Sequence, residues 1–476
     1  MTIVLSIDQG TSGTKAVVVG HHGEILAISE QPVRPRYFSG GGVEQDPEAL
    51  YDSVVRAGRN AISLAKASID VIALANQGES VLAWDPDSGK PLTDIIVWQD
   101  RRAASICAEL AEHEERIAQR TGLVLDSYFS APKMAWLRRN LTEEGVVTTT
   151  DSWLIHRLTG EFVTDVTTAS RSLLLDVDTG EWSPELARLF GLHGERTPEI
   201  LACDVVAGAT GVFGGMIEVG GLIVDQQAAL VGQGCLEPGD AKCTFGTGAF
   251  LLANTGRAAV RSQAGLSASI AWSAGGHTTY CLDGQVFTAA SAVRWLEQLT
   301  FIDSAAAMDD VAAASSEGVM CVPALAGLGA PWWRSDATAS FTGMTLSTGS
   351  EHLVRAVLEG IAAQVAELTR HMAQELGAPL RRLRVDGGLT QSRVLMEAVA
   401  DLAQLPVEVY PSQHATPMGA AALARASVDH GLSLEDAIVG WEPSQRFAPA
   451  WSTGEAEAFL GLWRQDAEAQ IARAAR

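Results

Sequence analysis

The chain has 476 residues, of which 47% are hydrophobic and 19% charged, and its formal net charge at pH 7 is −23. A chain of this length exceeds what one hydrophobic core organises, so we expect two or three globular domains. The negative charge argues against nucleic acid or an anionic membrane as a partner, although backbone amides and a bound cation can still hold the phosphates of a nucleotide. No apolar run reaches the roughly 18 residues that span a bilayer.

The cysteine and histidine spacing favours neither disulfides nor zinc. Six cysteines occur without a Cys-x-x-Cys pair, at Cys107, Cys203, Cys235, Cys243, Cys281 and Cys321. In a chain of this size they indicate free thiols. No His-Glu-x-x-His is present. Because the first residues run into a strand without a basic region, we expect no signal peptide and a cytoplasmic location.

The first predicted element is a β-hairpin between Leu5 and Val19. Its turn combines two glycines, three hydroxyl side chains and a lysine, namely Gly10, Thr11, Ser12, Gly13, Thr14 and Lys15. Such a turn can hold a phosphate through amides and hydroxyls, and Asp8 at the strand end can hold Mg²⁺. The alternative is a surface hairpin in which these residues only form the turn, since the chain has no Walker A pattern.

Two predicted strands that follow end in polar and aromatic residues. A helix opens at Asp46-Pro47-Glu48 with an N-cap and an N1 proline. The strand at 71–75 then ends in Asn76-Gln77-Gly78-Glu79-Ser80, and the strand at 95–97 ends in Trp98-Gln99-Asp100. Polar strand ends are typical of ligand crevices in open α/β sheets. The alternative is a polar loop beside a packed tryptophan.

Farther along, helices are predicted after Tyr128 and from Asp151, and the residues 164–170 are predicted to form a polar turn. A strand at 221–224 leads into Asp225, which we expect to project from a strand-to-helix junction; the alternative for this carboxylate is a helix N-cap. The glycine-rich stretch 208–221 is interpreted as the approach to a domain boundary.

The pattern of the first hairpin returns at 241–254, with Gly246-Thr247-Gly248 in its turn, which indicates two halves built on one plan. A helix is predicted from His352 to Leu376, ending at Gly377. A later strand ends in Gly387-Gly388, where a ligand can rest on the backbone.

Taken together, these residues resemble the FGGY family of carbohydrate kinases, and within it the glycerol kinases. The similarity runs from the first hairpin to about Ala424. It is most specific in two segments, Tyr128-x-Ser130-x-x-Lys133-Met134-x-Trp136-Leu137-x-x-Asn140 and Ala339-x-Phe341-x-Gly343-Met344 followed by His352-Leu353-x-x-Ala356-Val357-Leu358-Glu359. Gly327-Leu328-Gly329-Ala330-Pro331-Trp332-Trp333 is similar to a loop of glycerol kinases.

The resemblance implies an α/β fold of two ribonuclease-H-like (actin-like ATPase) domains that flank a catalytic cleft, divided here as 1–233 and 234–476. ATP with Mg²⁺ would lie between them, and Asp225 would be the general base for in-line transfer of the γ-phosphate to a terminal hydroxyl. Asp8 would organise Mg²⁺. The implied nucleotide-binding residues are Gly10, Thr11, Ser12, Lys15, Gly246, Thr247, Gly248, Ala290, Arg294, Gly387, Gly388 and Ser392.

The implied polyol pocket consists of Gly78, Glu79, Trp98, Tyr128, Asp225, Gln226 and Phe250, an apolar wall with a few groups that recognise hydroxyls. Glycerol kinases have an arginine at the position of Gly78, and we expect its loss to leave space for a longer polyol or a ketose. On the nucleotide side, Ala290, Arg294 and Ser392 replace a usual Gly, Gln and Asn.

The expected activity is therefore ATP-dependent phosphorylation of glycerol or a slightly larger polyol. A ketopentose kinase for xylulose or ribulose is the alternative within the family. A non-catalytic nucleotide- or sugar-binding regulator is the alternative outside it, although a binding module has no need of both Asp8 and Asp225. Family habit suggests a homodimer or tetramer.

Overall fold

A computed structural model describes residues 2–474. It contains 24 strands, which are β1 Val4–Gly10, β2 Gly13–Val19, β3 Ile25–Pro32, β4 Arg36–Phe38, β5 Gly42–Gln45, β6 Val71–Asn76, β7 Val81–Trp84, β8 Ile95–Ile96, β9 Val146–Thr149, β10 Val163–Asp165, β11 Leu175–Asp176, β12 Glu181–Trp182, β13 Glu199–Leu201, β14 Gly208–Thr210, β15 Ile217–Val224, β16 Asp240–Phe245, β17 Ala249–Gly256, β18 Ser267–Ala274, β19 His277–Val286, β20 Met320–Val322, β21 Ser340–Thr342, β22 Arg382–Asp386, β23 Val407–Val409 and β24 Gln445–Phe447.

The α-helices are α1 Pro47–Ala65, α2 Ala104–Glu109, α3 Glu114–Thr121, α4 Ser130–Asn140, α5 Thr150–Thr159, α6 Val166–Ser170, α7 Pro184–Leu189, α8 Asp225–Gly232, α9 Ala290–Gln298, α10 Met308–Val311, α11 Ser350–Leu376, α12 Arg393–Ala403, α13 Ala415–Val428, α14 Leu434–Ala437 and α15 Thr453–Ala474. Short 3₁₀ turns occur at Ala111–His113, Ala305–Ala307 and Gly388–Gln391. In the part of the chain from 2 to 474, none of these helices is both long and apolar enough to cross a membrane.

The two halves of the chain carry similar central sheets. The first has the strand order β14-β15-β6-β1-β2-β3, with β1 antiparallel to β2 and parallel to β6. The second has the order β18-β19-β17-β16-β22-β23-β24, with β16 antiparallel to β17 and parallel to β22. Each half therefore places a glycine-containing hairpin beside a parallel strand. The predicted pair of ribonuclease-H-like domains on either side of a cleft is confirmed.

The two sheets are joined through a pair of packed helices, α8 and α13. Their backbones lie so close that a side chain on Gly232 would collide with the carbonyl oxygen of Ala415, and one on Gly419 with that of Ala228. Helix α13 comes from the second half of the sequence, yet the Ser6 hydroxyl of β1 donates to the Pro417 carbonyl at 2.6 Å. A shared apolar core contains residues of both sheets and of α13, among them Val4, Val71, Ile223, Leu252, Ile270 and Ala420.

Most predicted elements are present where the sequence placed them. Asp46 caps α1 by accepting hydrogen bonds from the amides of Glu48 and Ala49 at 2.9 and 3.2 Å, and Gly377 ends α11 with a left-handed φ of 64°.

One prediction about this part of the chain is wrong. The residues 164–170 are not a polar turn: they complete β10 and form α6, because the Asp165 carboxylate caps that helix through the amides of Thr167 and Thr168. The stretch 208–221 forms β14 and most of its antiparallel partner β15 at the edge of the first sheet, and its place before a domain boundary stays a prediction.

Candidate active site

A cavity of about 600 Å³ lies between the two halves. Thirteen of the residues predicted for the site line it, namely Thr11, Ser12, Gly78, Glu79, Trp98, Tyr128, Asp225, Gln226, Gly246, Thr247, Gly248, Phe250 and Arg294. They come from loops at the ends of β1, β6, β8, β15 and β16 and from the neighbouring helices. The cavity is thus formed where the strand ends of both sheets meet, as the polar strand ends indicated.

One wall of the cavity is aromatic. The ring of Trp98 meets those of Tyr128 and Phe250 edge-on, with centroids 5.6 and 5.9 Å apart. The indole Nε1 of Trp98 donates a hydrogen bond to the Thr11 hydroxyl at 2.8 Å. This bond ties the aromatic wall to the turn of the first hairpin, so the two predicted subsites are in direct contact.

The space directly at Gly78 is narrow, although the glycine lines the cavity. A side chain at this position would meet Val224 Cγ2 at 2.8 Å and Arg171 Cδ at 3.9 Å. Arg171 follows α6 and lines the cavity, and its Nε donates to the neighbouring carboxylate of Glu79. A guanidinium is therefore present near Gly78 although it comes from another segment of the chain, and the expected room for a longer polyol stays a prediction.

Glu79 is held under backbone strain. Its φ is +60°, in the left-handed region that non-glycine residues rarely occupy. Burial raises the pKa of its carboxyl, and the charge of Arg171 lowers it in part. Strain of this kind costs on the order of 1–3 kcal/mol and is typical of functional positions.

Asp225 is the first residue of α8, directly after β15, which is the junction that the sequence predicted. Its partly buried side chain faces the cavity. Burial raises its pKa to about 7, the charges of Asp8 and Glu79 add to this, and Lys242 opposes it. A carboxyl with a pKa near neutrality exchanges a proton readily, as a general base must.

Asp8 lies at the base of the first hairpin. Burial raises the pKa of its carboxyl to about 6; Lys15 opposes this increase, while Asp386 adds to it. Lys15 does not line the cavity. Its Nζ lies 3.4 Å from both the Gln413 carbonyl and the carboxylate of Glu30, because Glu30 is its direct cross-strand neighbour on β3. The structure therefore places Lys15 away from the predicted phosphate site.

The turn of the second hairpin, Gly246 to Gly248, faces the first across the cavity. A side chain on Gly248 would collide with the carbonyl oxygen of Val286 on β19, so glycine is required for this approach. Below the turn, fully buried Lys242 donates to the Gln226 side-chain oxygen at 2.6 Å and to the Thr244 hydroxyl at 3.0 Å. Gln226 is thereby held at the cavity wall.

The remaining predicted nucleotide residues surround the second hairpin outside the cavity. The Ala290 amide donates to the Gly246 carbonyl at 3.1 Å. Gly387 has a φ of 98° and lies against the Phe245 carbonyl, and Gly388 has open space beside it. Ser392 is already engaged, since its hydroxyl donates to Asp309 and accepts from the Leu395 amide. Gly10 is the last residue of β1 and does not line the cavity itself.

The charged residues that the sequence did not predict for the site include Arg171, which lines the cavity, and Lys242 and Asp283, which bind lining residues from behind. Lys242 could have been predicted, because a lysine inside an apolar strand requires a buried partner. No sequence feature indicated Arg171, since it follows a segment that was interpreted as a turn. Within residues 2–474, no group of three or more His, Cys, Asp or Glu side chains is arranged to hold a metal by protein ligands alone.

Comparison with known proteins is consistent with this geometry. Residues 3–232 match the model of the FGGY family of carbohydrate kinases, N-terminal domain, and residues 241–428 match its C-terminal domain. A glycerol kinase of Deinococcus radiodurans is 39% identical over 97% of this chain and 96% of its own length. Glycerol kinase 2 of Thermotoga maritima is 38% identical, with 98% of both chains covered.

Solved structures give the same result for the fold. The structure of Plasmodium falciparum glycerol kinase with ADP superposes with a TM-score of 0.91 at 33% identity, covering 99% of this chain and 98% of that one. A ligand-bound xylulose kinase of Lactobacillus acidophilus shares the fold at 22% identity, with a TM-score of 0.89 and 98% of both chains covered. Since both family models match in order along the chain, the protein belongs to the FGGY family of carbohydrate kinases.

Proposed function

We propose that the protein is an ATP-dependent kinase that phosphorylates a terminal hydroxyl of a small polyol, with glycerol as the first candidate. The observation that carries this proposal is the position of Asp225. Its carboxylate shares one cavity with the aromatic wall of Trp98 and Tyr128 and with the turns of both hairpins. A proton acceptor, a polyol-sized subsite and two phosphate-binding turns thus lie together.

The proposed role of Asp225 is to accept the proton of the attacking hydroxyl. Phosphoryl transfer depends mainly on the positioning of reactants and on stabilisation of charge. A carboxylate at a helix N-terminus facing the cavity provides the proton acceptor. The aromatic wall and Glu79 would orient the carbon chain and its other hydroxyls.

The proposed phosphate-binding groups are the amides of Gly10 to Ser12 and of Gly246 to Gly248. Asp8 fits a magnesium site, because it is a partly buried carboxylate at the end of β1 whose pKa is raised chiefly by burial, with Asp386 close enough to add to this. Mg²⁺ in kinases is usually held by one or two carboxylates, phosphates and water. Bound Mg²⁺ would neutralise charge on the phosphates. Ala290, Arg294, Gly387, Gly388 and Ser392 are proposed to border the rest of the nucleotide.

The proposed domain division is 1–233 and 234–476, with α13 as an element of the second domain that packs on the first sheet. The ranges of the two family matches support this boundary. We further propose that the protein forms a homodimer or tetramer, which light scattering coupled to gel filtration measures directly.

Glycerol is favoured over a pentulose by two observations. The relatives at 37–39% identity over nearly the full chain are named glycerol kinases, whereas similarity to xylulose kinases below 25% identity concerns the fold alone. In addition, the side chains of Val224 and Arg171 narrow the space directly beside Gly78, where a longer substrate was expected to extend. A non-catalytic regulator is disfavoured because Asp225 retains a proton-accepting position.

The decisive experiment measures ADP release from ATP and Mg²⁺ with glycerol, erythritol, ribitol, xylitol, xylulose and ribulose, with mass spectrometry of the product. Turnover of glycerol, lost in Asp225→Asn while ATP still stabilises the fold, is the expected result. No turnover of any polyol by the native protein would refute the proposal, and turnover of pentuloses alone would assign the alternative activity.

A further inference from the structure

Arg171 forms a charged bridge inside the polyol end of the cavity. Its Nε donates to Glu79, and its Nη1 donates to Asp283 on β19. Its side chain is 5% exposed, and its Cζ lies 5.8 Å from the ring centroid of Tyr128 and 5.6 Å from that of Phe129. The guanidinium is therefore fixed by carboxylates from both halves of the protein.

One end of this guanidinium is left without a protein partner. Nη1 makes a second, longer contact of 3.5 Å with the Ser269 hydroxyl, whereas Nη2 donates to no protein atom in residues 2–474. Arg171 lines the cavity. Nη2 is therefore free to donate to a ligand in the cavity, and a bound ligand that covers this donor without accepting its hydrogen bond would be disfavoured.

The charge around Arg171 limits what kind of ligand this donor can take. Two carboxylates, Glu79 and Asp283, face one guanidinium, so the cluster has no positive charge left for an anion. The nearby Lys133 acts on Glu79 as well, but its ammonium group donates to backbone carbonyls. A sugar acid or a phosphorylated sugar would therefore find no unpaired cation in this cluster, whereas a neutral hydroxyl needs none.

We propose that Arg171 is a specificity-determining residue: its Nη2 donates a hydrogen bond to a non-reacting hydroxyl of a neutral polyol. Asp283 acts as a positioning residue, because it fixes the orientation of the guanidinium from the other half of the protein. This inference rests on the proposed polyol kinase activity. It adds that Arg171 recognises a hydroxyl of the substrate and that sugar acids are excluded.

The test compares glycerol with 1,2-propanediol and 1,3-propanediol, each of which lacks one hydroxyl. In the native enzyme, kcat/KM should be about 10- to 100-fold lower for the diol that lacks the hydroxyl bound by Arg171, the size expected for one charged hydrogen bond. In Arg171→Met this ratio should fall to within about threefold of unity, with KM for ATP nearly unchanged. Arg171→Lys should retain part of the discrimination.

Arg138→Met is the matched control, because Arg138 is also a mostly buried arginine bound to a carboxylate, that of Glu195, but lies outside the cavity. Its glycerol-to-diol ratios should equal those of the native enzyme. If Arg171→Met lowers kcat/KM for glycerol and both diols by one common factor, the proposed recognition is wrong and Arg171 only supports the fold.

Asp283→Asn provides a second route if Arg171→Met does not fold. It keeps the arginine and the side-chain volume, and we expect a higher KM for glycerol with a smaller change in kcat. An unchanged KM for glycerol would contradict the positioning role.

Glycerate and gluconate should not be phosphorylated by the native enzyme. Faster turnover of either than of glycerol would overturn the inference while leaving the kinase activity intact. Absence of turnover with every polyol would instead refute the proposed function itself.

Discussion

Replacement of Asp225 by asparagine separates the roles of this residue in catalysis and in stability. The substitution keeps the shape of the side chain and removes its ability to accept a proton. A positioned general base typically contributes 10²- to 10⁴-fold in rate. We therefore expect kcat for polyol phosphorylation to fall by roughly that factor, with KM values for glycerol and ATP changed by only a few fold.

The same substitution should stabilise the protein at alkaline pH. The folded-state pKa of Asp225 is about 7 against an ordinary value of 3.8, a difference that corresponds to at most about 4 kcal/mol. Because the folded pKa is raised, ionisation of Asp225 opposes folding. The contribution of Asp225 to the free energy of unfolding is most favourable below pH 4 and is lost as the pH rises through 7. The free energy of unfolding of Asp225→Asn should therefore equal that of the native protein at pH 4. At pH 8 it should be higher by an amount on the order of 1–3 kcal/mol, which is below the upper limit because the carboxylate is partly solvated.

Urea unfolding of the native and Asp225→Asn proteins, without ATP and Mg²⁺, measures this gain at pH 5 and pH 8. Asp52→Asn is the control, since Asp52 lies exposed on α1 and pairs with Arg56 at the surface; it should show no comparable gain. Native-like kcat in Asp225→Asn would refute the assignment of the base. Equal stability of the two proteins at both pH values would refute the electrostatic argument.

Further predictions concern the pH dependence, the second hairpin and the aromatic wall. At low concentrations of both substrates, the rate should fall tenfold per pH unit below about pH 7 as Asp225 is protonated; a flat profile from pH 5 to 8 would contradict this. Gly248→Ala should raise KM for ATP at least about tenfold, because the new methyl group meets the Val286 carbonyl. An unchanged KM for ATP in steady-state kinetics would exclude the second hairpin turn as a phosphate-binding subsite. Trp98→Phe keeps an aromatic ring but loses the hydrogen bond to Thr11, so kcat/KM should fall about fivefold; no change would show that the bond does not order the turn.

The local features of this fold were predictable because their signals are contained in a few adjacent residues. The two hairpins follow from glycine-rich turns between apolar strands, and α1 follows from Asp46 before Pro47. Helix α6 was missed because its five residues carry no apolar period and its cap, Asp165, made the segment resemble a turn.

The recognition of substrate was only partly predictable. Glu79, Trp98 and Tyr128 follow predicted strand ends or a family motif, so their convergence was expected. Arg171 is 92 residues from Glu79 and 112 from Asp283 in the chain, and a pairing over such distances is set by tertiary packing alone. The expectation built on Gly78 did not include Arg171 for the same reason, because its side chain reaches this part of the cavity from a distant segment.

The protein contains two pairs of carboxylates with raised pKa values, and the surroundings of the two pairs differ. Asp151 and Asp165 are buried carboxylates with raised pKa values too, but they accept hydrogen bonds from threonine hydroxyls and do not line the cavity. In residues 2–474, no side chain donates to the carboxylates of Asp8 and Asp225 in this way. Asp225 faces the cavity beside the strained Glu79, and Asp8 lies at the base of the hairpin whose turn lines the same cavity. Buried charge and backbone strain together are an arrangement that folding alone would not favour. A substrate hydroxyl and a phosphate-bound cation are the groups that would satisfy these carboxylates, so we place the proposed chemistry in this cavity and not at Asp151 and Asp165.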